Sequence, residues 1–210
     1  MNNVEVRDYS APLASVTAGR LEFRRGAARV EIEAGPGDDL YRAHFEGRVP
    51  EVRVRGGTVS VQYHHAGFAT AFLFHGGRER AHFTLNESVS WELEFRGGVS
   101  ELMADLSRMQ LRSMLIRGGV SHSNLTLPQP SGLLTVHVMG GVSDLTVHRP
   151  RGVATRFSVR GGVSKLALDD QRFGAIGGGV RWQSPDYDQA ADRYDVSLRG
   201  GASNITIDAV

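Results

Sequence analysis

The sequence predicts an all-β fold: a single-domain β-solenoid, or β-helix, with rungs of about 21 residues and a glycine pair at each corner. Three observations predict it. Glycine pairs recur through the chain, the second glycine of each being Gly57, Gly77, Gly98, Gly119, Gly141, Gly162, Gly179 and Gly201, with steps of 20, 21, 21, 22, 21, 17 and 22. Around each pair, five positions are usually apolar: five and three before the second glycine, and one, four and six after it. Phe157, Val159, Val163, Leu166 and Leu168 fill one copy, and Val136, Val138, Val142, Leu145 and Val147 another. The spacing of two on each side is that of a strand, and β-branched and aromatic residues fill the slots as strands prefer. Finally, Pro128, Pro130, Pro150 and Pro185 fall outside the strand frame, in return segments where a missing N–H costs little.

Residues 1–19 are expected to form an N-terminal strand and cap, because an end rung exposes unpaired backbone. Gly26 opens an early copy in which Leu21, Phe23, Ala27, Val30 and Ile32 fit the frame. The solenoid is expected to run over 20–210 with inserts at 34–50 and 184–195. In the first insert AGPGDD reads as a turn, and Leu40–Phe45 as a strand or a short helix. From Val52 the register is steady. It breaks between Gly162 and Gly179, where Trp182-Gln183-Ser184-Pro185 replaces the usual second strand. The polar stretch 184–195 reads as a loop or short helix projecting from the rod. The last repeat includes Val196, Leu198, Ala202, Ile205 and Ile207 and ends near the C-terminus, so its final edge is expected to lack a cap: either it is a partner surface open to homo-oligomerisation, or Ala209-Val210 simply frays. The glycine pairs are expected where the chain turns sharply beside a neighbouring rung, which needs positive φ or no side chain.

Charge is nearly balanced, with a net of +1, so no nucleic-acid partner is expected. There are no cysteines, hence no disulfide or thiolate metal site. The N-terminal residues show no basic run followed by an apolar core, and no long apolar segment occurs. The expectation is a cytoplasmic protein without membrane insertion.

The GGVS copies, the spacers Pro128–Gly132 (PQPSG) and Pro150–Gly152 (PRG), and the tail SPDYDQAADRYDVSLRGGASNITI resemble bacterial, often actinobacterial, adhesin-type β-solenoid domains of unknown function. The resemblance covers the C-terminal two-thirds well and the first third loosely. It implies the fold and, through the adhesin label, export. It implies no catalytic residues.

Two columns stand out as candidate chemistry. Two residues before each second glycine lie Arg24, Arg55, His75, Arg96, Arg117, Met139, Arg160 and Arg199. Alternation points them outward, and stacked guanidinium groups repel by roughly 1 kcal/mol per neighbouring pair in water. Arg55, Arg96, Arg117, Arg160 and Arg199 are therefore the candidate binding residues, a basic stripe for a polyanion or acidic partner. The alternative is that each arginine bonds turn carbonyls or pairs with Glu94, Glu101 or a neighbouring acid. Two residues after the glycine lie Ser100, Ser121, Ser143, Ser164 and Ser203, read as hydroxyls bonding along the stack rather than as a nucleophile.

The histidines, His44, His64, His65, His75, His82, His122, His137 and His148, occupy unlike positions, so no metal site is expected. His64-His65 with His82 is the nearest to a cluster. Asp186, Asp188, Asp192 and Asp195 gather in the second insert, where paired acids held about 5–10 Å apart could cleave a glycosidic bond. The expected function is a non-enzymatic scaffold or binding protein without a cofactor, its partner a protein, a polyanion or a carbohydrate. The alternative is a carbohydrate-active enzyme of lyase or hydrolase type with a site near 184–195.

Overall fold

The computed structural model describes residues 5–63 and 79–210. The Gly77 copy and His64, His65 and His75 lie outside them. Among the described residues all regular structure is β. The strands are β1 (Val6–Pro12), β2 (Ala18–Phe23), β3 (Ala27–Gly35), β4 (Asp39–Glu46), β5 (Glu51–Arg55), β6 (Thr58–Gln62), β7 (Arg80–Asn86), β8 (Ser90–Phe95), β9 (Val99–Asp105), β10 (Gln110–Ile116), β11 (Val120–Thr126), β12 (Leu133–Val138), β13 (Val142–Arg149), β14 (Ala154–Val159), β15 (Val163–Leu168), β16 (Gln171–Phe173), β17 (Val180–Gln183), β18 (Arg193–Leu198) and β19 (Ala202–Ala209).

They form two large mixed sheets. One runs β1-β4-β7-β3-β9-β11-β13-β19-β15-β16, the other β17-β14-β18-β12-β10-β8-β2-β6-β5. The chain crosses from the second sheet to the first at Gly97-Gly98, Gly118-Gly119, Gly140-Gly141, Gly161-Gly162 and Gly200-Gly201, and the middle strands of both sheets are parallel. The expected step is visible there: Val99 faces Val120, and Val120 faces Val142.

The order is not the chain order, which corrects the expectation of successive stacking. At the C-terminal side β18 lies between β12 and β14, and β19 between β13 and β15. At the N-terminal side β2 lies between β6 and β8, and β3 between β7 and β9. The last repeat is thus an interior layer and cannot be the uncovered edge expected for self-association. Both its strands bury their alternate residues and use both hydrogen-bonding edges. The ends are closed instead by antiparallel strands: β1 on β4 on β7 and β5 on β6 at one end, β16 on β15 and β17 on β14 at the other. The N-terminal strand does sit at an end, but over β4, with β7 between it and β3.

The five apolar positions converge as expected. Phe157, Val159, Val163, Leu166 and Leu168 are all buried, as are Val196, Leu198, Ala202, Ile205 and Ile207, and all ten join one continuous core with Phe23, Phe83, Phe95 and Trp91. Phe23 stacks on Phe95 with centroids 4.8 Å apart, and Phe83 meets Phe23 edge-on.

The glycine pairs at the five crossings are explained by close approach rather than by positive φ. A Cβ on Gly118 would lie 2.3 Å from the backbone N of Gly98, and one on Gly140 would lie 2.5 Å from the Gly118 carbonyl. The pair Gly56-Gly57 is different. It is the two-residue turn of the β5–β6 hairpin, with φ of 53° and 80° as a type I′ turn requires. Three residues after the second glycine, His122, Asp144, Asn204 and Lys165 take positive φ. That left-handed residue explains why the apolar spacing there is three: it is a bulge, and it returns the next side chain to the core.

Both inserts are ordered. Leu40–Phe45 is a strand, with Leu40, Tyr41, Ala43 and Phe45 buried against the core. The segment 184–195 does not project. The Ser184 hydroxyl accepts from the Thr155 N–H, Tyr187 is buried, and Arg156 and Arg193 cover its ring at 4.6 and 5.4 Å. Trp182 and Gln183 belong to a strand that closes the sheet.

Candidate functional site

The arginine row lies on the outer face of the nine-stranded sheet, and backbone hydrogen bonds fix its order. The N–H of Arg160 donates to Leu198, that of Arg199 to Val138, that of Met139 to Ile116, that of Arg117 to Phe95, and that of Arg96 to Phe23. The row therefore reads Arg160, Arg199, Met139, Arg117, Arg96, Arg24. Arg55 is not in it: as the last residue of edge strand β5, next to the hairpin turn, it belongs to a different structure from the other four candidates.

The row has two chemically distinct halves, and the neighbouring column decides which is which. Two residues back in each strand stand, in spatial order, Ser158, Ser197, His137, Leu115, Glu94 and Glu22. Glu22 and Glu94 are buried. Arg96 reaches Glu22 at 2.6 Å, Arg117 reaches Glu94 at 2.9 Å, and Arg20 reaches Glu94 at 2.8 Å. Burial pushes the Glu94 carboxyl up, but the Arg117 hydrogen bond and the charges of Arg20, Arg96 and Arg117 outweigh it and hold the group below its ordinary value. For Arg96, Arg117 and Arg24, the local-pairing alternative is what the geometry contains.

At the other end serine and histidine replace the acids. Arg160 and Arg199 are exposed and meet no carboxylate among the described residues. A third arginine joins them. Arg181 on β17 faces Ser158 across the antiparallel pair. Together Arg160, Arg181 and Arg199, with His137, Ser158, Ser197, Gln183 and the Arg156–Asp195 pair, line a cleft of about 410 Å³. The Arg156 guanidinium is 2.5 Å from Asp195, which raises its pKa through that hydrogen bond and leaves Asp195 committed. His137 and Ser197 are hydrogen-bonded to each other.

Arg181 was missed by the repeat frame because the chain reverses before it. The irregular step of 17 residues to Gly179 was the available signal, and it marks an antiparallel return rather than a shortened rung.

The serine column behaves as expected: Ser121 and Ser143 face one another in register, and the Ser121 hydroxyl donates to the Ser100 carbonyl at 3.0 Å. No group of three or more histidine or acidic residues suited to a metal occurs among the described residues. His82 lies 3.3 Å from Glu33. Of the acids in the second insert, Asp188 accepts from Gln183, Asp192 from the Gly132 N–H and Asp195 from Arg156. Asp186 faces another open cleft, of about 600 Å³, with Asp169, Asp170, Asp208 and Trp182. There Asp169 is bound by Arg149 at 2.5 Å and Asp208 by His148 at 2.6 Å.

Among the described residues no helix is long and apolar enough to cross a membrane. The sequence profile of the N-terminal domain of toast_rack, DUF2154, matches residues 1–148. The chain belongs to this family. The toast_rack match covers β1 to most of β13, whereas the adhesin-type resemblance was expected to be strongest in the C-terminal two-thirds. Of the residues lining the basic cleft, His137 alone lies inside the toast_rack region. No curated protein matches the chain.

Among solved structures, a putative cell adhesion protein from Clostridium sporogenes matches 99% of this chain and 100% of its own, with a TM-score of 0.76 and 16% identity. At that identity the likeness shows a shared fold, and it extends that fold beyond the toast_rack region to the whole chain. A putative adhesin from Bacteroides fragilis matches over 99% and 98% of the two chains at 10% identity, with a TM-score of 0.38, too loose to support more.

Proposed function

We propose that the protein is a non-enzymatic binding protein: a flattened β-solenoid-like stack that presents the basic outer face of its nine-stranded sheet to an anionic carbohydrate. The parallel registers and the crossings at five glycine pairs support reading the two sheets as opposite walls of one coil. The observation that carries the binding reading is the divided arginine row. Where the row serves the fold, buried glutamates neutralise it; at the Arg160 end the same positions hold serine and histidine, and positive charge is left facing solvent. Charge that stabilises nothing locally is retained at a cost. The cell-adhesion name of the Clostridium sporogenes structure agrees with a role in attachment.

The test is retention on immobilised heparin and on polygalacturonate at low salt, with reducing ends assayed in parallel. The expected result is salt-sensitive retention without cleavage. Release of reducing ends would replace this reading with the carbohydrate-active enzyme, and its site would be sought at the Asp186 cleft. Absence of retention on both polymers would overturn the binding reading.

A further inference from the structure

The geometry points to a phosphate- or sulfate-type oxyanion site in the cleft between β17, β14 and β18, with Arg160, Arg181 and Arg199 as its ligands and a sugar as the carrier of the anion. This inference rests on the binding reading above and specifies the group recognised.

Three adjacent strands each supply one guanidinium. Arg181 stands on β17 opposite Ser158 of β14; Arg160 follows Val159 on β14; and Arg199 follows Leu198 on β18, whose carbonyl accepts the Arg160 N–H. Neighbouring strands lie about 4.8 Å apart, so the three charges stand side by side on one face of the sheet, and all three line the same cleft. A single carboxylate offers two oxygens in a plane and suits one bidentate arginine. A tetrahedral oxyanion offers oxygens in several directions and a larger charge, and suits three.

The site excludes internal competitors. Among the described residues Asp195 is the one carboxylate lining the cleft, and Arg156 holds it at 2.5 Å. The hydroxyls of Ser158 and Ser197, the amide of Gln183 and the imidazole of His137 complete the lining. They offer donors and acceptors for sugar hydroxyls beside the anion. The same row supplies an internal control: Arg24 and Arg96 have the same spacing and exposure, but buried Glu22 sits between them.

The experiment is titration calorimetry of the full chain with inorganic phosphate, inorganic sulfate, acetate and a heparin disaccharide at matched ionic strength. The expected result is saturable binding of one phosphate or sulfate per chain, tighter binding of the disaccharide, and weak binding of acetate. Arg181→Gln and Arg199→Gln should each weaken phosphate about tenfold, the loss of one charge-assisted contact. Arg24→Gln should leave it unchanged. Thermal melts of the variants establish that each is folded; among the described residues the Arg181 side chain has no ion-pair partner to lose.

Non-saturable phosphate binding, equal affinity for acetate, or equal loss in Arg24→Gln would overturn the inference. If heparin retention survives in Arg181→Gln and Arg199→Gln while phosphate fails to bind, the oxyanion site falls and the binding face stands. Vesicles of phosphatidylcholine and phosphatidic acid distinguish a lipid source: binding to them with none to the disaccharide would overturn the sugar assignment.

Discussion

The side-chain amide of Asn204 donates to the Asp144 carboxylate at 2.6 Å, across sixty residues of sequence. Both residues take the left-handed conformation at the bulge of their strands, φ 54° and 52°, and each occupies the same place in its repeat. The contact is a direct consequence of the transposed order: the final layer is inserted against β13, not added after β15.

Ending the chain before Arg193 should therefore remove an interior layer, leaving β14 without β18 and β15 without β19. The expected outcome is loss of the cooperative melt as followed by circular dichroism. Ile205→Ala, at a side chain 1% exposed, should cost about 2–5 kcal/mol in urea denaturation. A shortened chain that melts close to the parent would refute the interior placement.

Gly118→Ala places a methyl 2.3 Å from the Gly98 backbone N. Backbone cannot yield as a flexible side chain can, so the expected cost is at least about 1–3 kcal/mol. Gly174→Ala, with nothing near its Cβ and no positive φ, should fall within about 0.5 kcal/mol of the parent. Urea midpoints for the two variants test whether the glycine pairs exist for close approach; equal effects would argue against it.

Glu94 links acid sensitivity to the arginine row. Its carboxyl lies below the ordinary value in the folded chain, so between the folded and unfolded values the unfolded state binds more protons. The contribution is complete above the model-peptide value of 4.5 and is lost as pH falls through the folded value. Glu94→Gln should lower stability by about 1–3 kcal/mol at pH 7, and its melting temperature should fall less than the parent's on acidification. Parallel loss in both proteins from pH 6 to pH 3 would show that Glu94 is not responsible.

The core was legible because its signal is local. Leu166, Leu168, Ile205 and Ile207 repeat at fixed offsets from a glycine, and all four are buried. The order of the layers was not legible, because every parallel layer presents nearly the same edge, and chain position does not say which edge a repeat will choose. The Gly56-Gly57 hairpin was misread as a corner for a related reason: a type I′ turn and a close-packed corner both select paired glycines. Asn86 gave no signal at all. It is buried, its amide donates to the carbonyls of Gly37 and Asp39, and its carboxamide oxygen accepts from the Ser88 N–H and hydroxyl. Those partners come from the first insert and from a turn, neither of which follows the repeat. The arginine row was visible as a column, but its division required knowing that Glu22 and Glu94 are neighbours, and they are so only because β2 lies beside β8.

That division makes opposite predictions for two arginines in one row. Arg117→Gln removes a 2.9 Å charge-assisted bond to a buried carboxylate that retains Arg20 and Arg96, so the expected cost is about 1 kcal/mol. Arg199→Gln removes no ion pair among the described residues and relieves repulsion from Arg160 on the adjacent strand. Its stability should be unchanged or raised by up to about 1 kcal/mol at low salt, with the gain disappearing at high salt. Urea denaturation of both variants at low and high salt checks the pair. A loss of stability in Arg199→Gln as large as that in Arg117→Gln would mean that the Arg160 end of the row also serves the fold, and the argument for binding would lose its footing.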